Sequence, residues 1–515
     1  MKQYSMIASM LLASWVCSPG WAQESRLALV VGSNAALTSD VSPLSFADDD
    51  SIRTGQVLQT LGVTVQVLAD VDDDTRRLYP DGSWNAPSRQ DVLKSLDQLV
   101  SQGKVLAEQG SSVTLFFVFS GHGSYDAEGR GFLHLTDGQL THRDLFSRLI
   151  APTAGVCDVV IVLDTCNAEF LLQTRGSALR RPVGPRTLVL EDYDHVGLVL
   201  SVSASGEVRE WGRALGGVFS HQLRSALMGG ADQDCDGRIT FPELAAFLDA
   251  ANRDVTNPSL RLTPYVRPPL GNAGAVLVAP GAARSAARLV LDRPRPLRLT
   301  LLDAHLARQS DLNLEGACPR EVLLLPGQMG TVLVDEREYA LPGSASTVKL
   351  SELQHAPSGD GLPRGMDQYY RNNLFKTPYG ADFFRSYTSG PWQEGLVVER
   401  SFSAPWYHST WGWVGIGVAA AGATVGSVLM GLAHQAEGDA RNSVWSADIH
   451  HHNQRVERFN LYSAISWGVS GAALLTGIAG FLVDRPVNTE RYVPRFRNGT
   501  LGDRGTTGTS FEVTF

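Results

Sequence analysis

Short apolar runs alternate with stretches in which apolar positions recur every three or four residues, and this rhythm fills the first half of the chain. Leu27–Val31, Val63–Leu68, Val113–Phe119, Val159–Leu163 and Val196–Val202 have strand length and are mostly Val, Leu and Phe. Strands that are apolar on both faces belong in a parallel sheet covered on each side. Leu44–Leu61, Gln90–Leu106, Arg143–Ile150, Phe219–Leu227 and Pro242–Ala251 carry the helical period between and after them. The pattern predicts an α/β domain over residues 23–255, a mostly parallel sheet with helices on both faces.

The texture changes after Asn257-Pro258. Ala275–Val278, Leu297–Leu302, Val322–Leu325, Thr331–Val334 and Thr347–Leu350 are short apolar runs set between Pro and Gly, which predicts a small β-rich domain over 256–400. Pro357–Gly365 reads as a loop and Gln368–Tyr387, rich in Tyr, Phe and Asn, as irregular structure. Residues 411–433 and 461–483 are each uncharged over a length that spans ~30 Å of hydrocarbon as a helix. Trp406, Tyr407, Trp411 and Trp413 gather at one edge, and Gly422 and Gly426 permit close helix approach. These stretches predict a transmembrane helical hairpin followed by a polar tail, 484–515. Residues 1–22 begin with Met-Lys, continue apolar from Met6 to Val16 and end Gly20-Trp21-Ala22, the pattern of a cleaved signal peptide. An exported, membrane-anchored chain with its first domain outside the cytoplasm follows. The Arg distribution, three in the 434–460 loop against five in the tail, does not reinforce that orientation.

With 43% hydrophobic and 19% charged residues, the 515-residue chain has the composition of a globular protein. A net charge of −9 without a long basic run excludes nucleic acid as the partner. Cys157, Cys166, Cys235 and Cys318 are too scattered for a disulfide framework or a zinc site, so each is read singly.

Two strand ends carry chemistry. Val113–Phe119 runs into Ser120-Gly121-His122-Gly123, and Val159–Leu163 into Asp164-Thr165-Cys166-Asn167; ligand sites in open α/β sheets lie beyond the carboxyl ends of strands. A His beside a thiol yields a nucleophile at neutral pH, and glycines admit backbone N–H groups to a developing oxyanion. His122 precedes Cys166 by 44 residues, close to the caspase spacing. With Phe116-Phe117-Val118-Phe119 before the His, Val160-Ile161-Val162-Leu163 before the Cys, and Gly217-Val218-Phe219-Ser220-His221-Gln222-Leu223 beyond, the sequence resembles the caspase clan, specifically bacterial caspase-like and metacaspase-type cysteine proteases. The resemblance covers about residues 25–255. It implies a His122–Cys166 dyad, an oxyanion hole from the N–H groups of Gly123 and Cys166, and a pocket for Arg or Lys lined by Asp164, Ser120 and Asp50, with Asp49 the other candidate for the last place. It departs after the nucleophile, where Asn167-Ala168-Glu169 replaces the commoner His-Ser-Gly. A carboxylate beside the nucleophile independently favours a cationic side chain in the substrate. The expected function is a cysteine endopeptidase cutting polypeptides after Arg or Lys, the alternative a catalytically idle caspase-like scaffold. The connection 171–194 carries Arg175 and Arg180 and reads as an exposed segment, which the resemblance implies is the place of self-cleavage.

A second motif lies at 232–243. Asp232, Asp234 and Asp236 occupy positions 1, 3 and 5, Gly237 position 6, Arg238 position 7 (through its carbonyl), Thr240 position 9 and Glu243 position 12, which is the EF-hand template for Ca²⁺. Cys235, at the fourth position, is expected to face solvent. His450-His451-His452 reads as a solvated run and Cys157 as core.

Overall fold

The computed structural model describes residues 24–497 except 38–41, 127–129, 167, 172–185, 189–192, 203–208, 258, 284–285, 326–329, 336, 343–346, 358–365, 390–391, 401–408, 444 and 484–489. The expected leader, Arg175, Arg180 and the 357–365 loop beyond Pro357 lie outside the described residues.

The chain alternates strands and helices through its first half. The elements are β1 (Glu24–Ser33), α1 (Ala47–Thr60), β2 (Thr64–Ala69), α2 (Arg89–Glu108), β3 (Ser112–Gly121), β4 (Asp158–Asp164), β5 (Val196–Leu200), α3 (Val218–Ser225), α4 (Phe241–Asn252) and β6 (Tyr265–Arg267). The sheet order is β6-β5-β4-β3-β1-β2. Its pairs are parallel except that of β6 with β5, so the sheet extends past residue 255. Strand alternation sorts the core into two layers. Leu29, Val31, Phe117, Phe119, Ile161 and Leu163 pack with Val92, Leu96 and Leu99 of α2 on one face. Ala28, Val30, Phe116, Val118, Val160 and Val162 face α1, α3 and α4 on the other.

Local chemistry fixes the helix starts. Ser88 caps α2 by accepting from Asp91 N at 3.1 Å. Thr240 and Glu243 form a reciprocal capping box on α4, with Pro242 in its first turn. The first turn of α1 is acidic, Asp48-Asp49-Asp50, which suits the helix dipole. Its leading N–H groups are satisfied from afar, Ala47 N by Asn34 Oδ1 and Phe46 N by Glu210 Oε1. This tethering sets where Asp50 points.

The β-rich region comprises β7 (Ala287–Leu291), β8 (Leu297–Leu302), β9 (Arg308–Leu314), β10 (Arg320–Leu324), β11 (Thr331–Val334), β12 (Arg337–Ala340), β13 (Thr347–Lys349) and β14 (His355–Pro357). They form a three-stranded sheet, β10-β7-β13, and a five-stranded one, β9-β8-β11-β12-β14. Leu299, Leu312, Val322 and Val332 belong to the same continuous core as Val57, Val218, Phe219 and Leu244. The β-rich region therefore completes one cover of the α/β sheet. The expected irregular stretch 368–387 is instead helical in two parts, α5 (Met366–Asn373) and α6 (Ala381–Ser389). Tyr370, Tyr379 and Phe383 bury there, and the Tyr379 hydroxyl donates to the carbonyls of Ala231 and Glu243. Aromatic residues form the buried side of an otherwise polar stretch, so the usual aliphatic period was missing.

A separate unit, residues 400–491, holds α7 (Thr410–Asn442) and α8 (Ser446–Val483), which pack together as a hairpin. Both are long and apolar enough to cross a membrane. Large apolar side chains such as Trp411, Val425 and Leu475 are exposed along them. Small residues set their approach: a Cβ on Gly415 would lie 2.4 Å from Gly477 Cα, and one on Gly422 3.1 Å from Ser470 Cβ.

Candidate active site

Parallel pairing of β3 with β4 places Ser120 opposite Asp164. His122 and Cys166 each follow two residues after that pair, beyond the ends of the two neighbouring strands. Gly123 presses against the nucleophile's backbone: a Cβ there would lie 2.4 Å from the Cys166 carbonyl oxygen and 2.4 Å from Thr165 Oγ1. Any larger residue would displace Cys166. The Cys166 thiol is half-buried, whereas Cys157 is buried in the core.

His122 Nε2 lies 2.9 Å from the Ser42 carbonyl oxygen. A carbonyl can only accept, so the proton sits on Nε2 and Nδ1 keeps its lone pair. Burial lowers the His122 pKa, opposed by the Ser42 bond, which favours the neutral imidazole needed in a base. Behind it His134, fully buried, donates its backbone N–H to the His122 carbonyl at 2.9 Å. The His134 Nδ1 accepts from Leu37 N at 3.1 Å, and its Nε2 is 2.8 Å from Ser124 Oγ. Neither Ser42 nor His134 was expected here. A backbone carbonyl leaves no side-chain signal, and His134 is distinguishable only once a short hairpin of Gly123–Tyr125 with Gly131–His134 folds it back.

Asp164 and Asp50, the carboxylates expected to line a substrate pocket, lie beside each other in the interior. Asp164 Oδ2 accepts from Ser220 N at 3.1 Å and from Ser220 Oγ. Burial, then the neighbouring charge of Asp50, push its pKa up to about 7, against the two Ser220 bonds. Asp50 is also raised by burial, opposed by Arg224. A Cβ on Gly217 would stand 2.8 Å from Asp164 Oδ2 and 3.1 Å from Asp50 Oδ2, so the two carboxylates flank that glycine. Asp49 points elsewhere: its Oδ2 accepts from Thr75 Oγ1 at 3.3 Å, and burial pushes it up to about 7. Of the two candidates, Asp50 is the one beside Asp164. Ser120 is buried opposite Asp164 in the strand register.

Residues 25–268 match the family model of the caspase domain. This segment is a caspase domain. Solved structures similar to the chain include caspase-1 from Spodoptera frugiperda, with 13% identity over 48% of this chain and 88% of that one at a TM-score of 0.31. A structure of pro-sf-caspase-1 has 12% identity over the same shares at 0.32. No curated protein sequence matches the chain significantly.

Within the caspase domain, α3 joins Asp164 and Asp50 to the β-rich region. Its His221 Nε2 is 2.7 Å from Asp311 Oδ2 of β9, and Asp311 N donates to Ser225 Oγ at 3.0 Å. Arg308 and Thr300 complete the ring of donors around Asp311. Against the upward push of burial, Arg308 and His221 hold the Asp311 carboxyl well below its usual range.

In the 232–243 loop the carboxylates of Asp232, Asp234 and Asp236 come within 4.8 Å of one another. Gly237, at φ 77°, takes the left-handed turn that the sixth position demands. Arg238 N donates to Asp236 Oδ1 at 2.7 Å. Thr240 and Glu243 face each other in the α4 capping box, outside the three-carboxylate group. Burial pushes Asp232 up to about 6, with Arg320 opposing. The expectation of a solvent-facing Cys235 is corrected: it is disulfide-bonded to Cys318, Cα to Cα 6.5 Å. Its left-handed backbone, φ 59°, belongs to that arrangement. The partners are 83 residues apart, so sequence spacing gave no hint of the pair.

Proposed function

We propose that the chain is an exported cysteine endopeptidase that cleaves after Arg or Lys and is tethered to a membrane by its C-terminal hairpin. The observation that supports the reading is that His122 and Cys166 each lie two residues beyond the paired Ser120 and Asp164 of adjacent parallel strands, with Gly123 against the Cys166 backbone. In the proposed reaction His122 Nδ1 takes the thiol proton and the Cys166 sulfur attacks the scissile carbonyl carbon. The carbonyl electron pair moves onto oxygen, which accepts hydrogen bonds from the N–H groups of Gly123 and Cys166. As the C–N bond breaks, His122 returns its proton to the departing amine. Water, deprotonated by His122, then hydrolyses the thioester. The Ser42 carbonyl holds the ring in the tautomer this requires. Asp164, two residues before the nucleophile, supplies negative charge for a basic side chain.

The reading extends to Ca²⁺ in the 232–243 loop. Three carboxylates converge there, and burial, with a smaller push from Asp236 and Asp234, raises Asp232. Asp232, Asp234 and Asp236 would hold the ion, with the Arg238 carbonyl; Thr240 and Glu243 would have to turn from the capping box to join them.

Hydrolysis of Arg- and Asp-terminated fluorogenic peptides by the full chain tests the reading. Arg peptides should be cut, and Cys166→Ala and His122→Ala should each lower kcat at least ~1000-fold. Faster cutting of Asp peptides would refute the basic preference, and an inactive wild type would favour the scaffold alternative. Millimolar Ca²⁺ should raise the melting temperature of the wild type but not of Asp232→Ala.

A further inference from the structure

A cavity of about 400 Å³, lined by neither His122 nor Cys166, lies where α1 meets the turn after Leu78 and the hairpin that joins β8 to β9. Asp81, Ala304 and His305 on its lining are exposed, which gives a way in from solvent. Deeper in, the cavity meets polar groups that this chain does not satisfy. Arg53 is 1% exposed; its Nε donates to the Tyr79 hydroxyl at 2.9 Å and its Nη1 to the Ala214 carbonyl at 2.5 Å. Its Nη2 has no hydrogen-bond partner among the described residues. Three residues on, along the same face of α1, the side-chain amide of Gln56 is also without one, and its Oε1 is buried. Unpaired polar groups at such depth are costly and call for a partner. Asp303 cannot serve, because Oδ1 accepts from His305 N and Ala307 N and Oδ2 from Gln309 Nε2.

The wall is aromatic and preformed. Gly82 N donates to the Tyr79 carbonyl at 3.1 Å, and Trp84 folds back onto Gly82, where any Cβ would collide with the indole. The Tyr79 and Trp84 rings meet edge-on, 6.0 Å between centroids. We propose that this cavity binds a neutral mono- or disaccharide. An anion would meet Asp81 and Asp303, a cation would meet Arg53, and a purely apolar ligand would leave Arg53 Nη2 and the Gln56 amide unpaired. A sugar hydroxyl both donates and accepts, so neighbouring hydroxyls serve the guanidinium and the amide together while the ring's C–H face lies against the aromatic wall. The volume is at the low end of the ~300–1,000 Å³ usual for ligand pockets, which limits the ligand to a short saccharide. The site shares no residue with the proposed dyad, so it stands apart from the peptidase reading.

The test uses the full chain as Cys166→Ala, in a detergent without a sugar headgroup. It is titrated by calorimetry with glucose, galactose, N-acetylglucosamine, maltose and lactose, and in parallel with inorganic phosphate, ethylammonium and an uncharged blocked tripeptide. At least one sugar should bind with a Kd of ~1 mM or tighter, and each of the other probes at least about tenfold more weakly. Gln56→Leu and Trp84→Ala should each weaken that sugar at least about tenfold, while Gln59→Leu, on the exposed side of α1 and off the cavity, should not. Should Trp84→Ala fail to fold, Gln56→Leu decides, since it keeps the side chain's bulk. Absence of binding by all of these sugars at about 10 mM would overturn the proposal. So would sugar binding that survives Gln56→Leu, or tighter binding of phosphate, ethylammonium or the tripeptide.

Discussion

Asp164 is under two opposing demands. Burial and Asp50 keep its proton on up to about pH 7, while the basic substrate proposed above would need the proton gone. An unfolded Asp titrates near ~3.9, so between about pH 4 and 7 the folded chain holds more protons here than the unfolded one. The stabilising contribution is therefore complete below about pH 4 and is lost as pH rises toward 7. Asp49, also pushed up to about 7, acts in the same direction. The groups facing Asp164 are Asp50 from α1 and Ser220 and Arg224 from α3, and none of them reverses the sign. The melting temperature should fall between pH 5 and 8, less steeply in Asp164→Asn, while the preference for Arg over norleucine rises through pH 7. An equal fall in both proteins would refute this. His122 and Cys166 were legible as candidates because Ser-Gly-His-Gly and Asp-Thr-Cys each end a buried strand, and strand ends are where ligands bind. Arg224 was not, since nothing local to Ser220-His221-Gln222-Leu223-Arg224 points at a residue 174 positions away. Ser42 contributes only a carbonyl, which every residue has.

Helix α3 shows how elements from distant parts of the chain share one task. It sets Ser220 against Asp164 and Arg224 against Asp50 on one side, and His221 and Ser225 against β9 on the other. Asp311 is 2% exposed and accepts from Arg308, His221 and Thr300, so deleting its carboxylate breaks a buried ion pair and several buried hydrogen bonds at once. Asp311→Ala should cost about 3–5 kcal/mol in chemical denaturation. It should also reduce turnover in whatever chain remains folded, because α3 loses its outer anchor. A loss under about 1 kcal/mol would show that α3 needs no such anchor. The strands were the most legible elements; continuous Val, Leu and Phe runs bounded by polar loops have few other fates, and Thr331–Val334 matches residue for residue. Helices α5 and α6 were not, because Tyr370, Tyr379 and Phe383 bury within sequence otherwise rich in Asn, Arg and Ser. Nor did the texture change near residue 257 mark a break in the core, since apolar residues from both sides of it pack into one cluster.

At the scale of the whole molecule, the hairpin and the remainder of the chain make distinct predictions. If α7 and α8 lie in a bilayer, the full chain should stay in the membrane pellet after an alkaline wash, and a chain lacking 410–483 should not. Gly415→Leu should loosen the hairpin, since a Cβ there already meets Gly477 Cα at 2.4 Å. The bond between Cys235 and Cys318 has a consequence for any cut that falls between them. Arg253 and Arg261 are both exposed, and a protease severing the chain after either would leave two pieces still covalently joined. On a gel without reductant the nicked protein would run as a single species of undiminished mass, and it would part into two bands only when thiol is added. Intactness of this polypeptide can therefore be judged only under reduction.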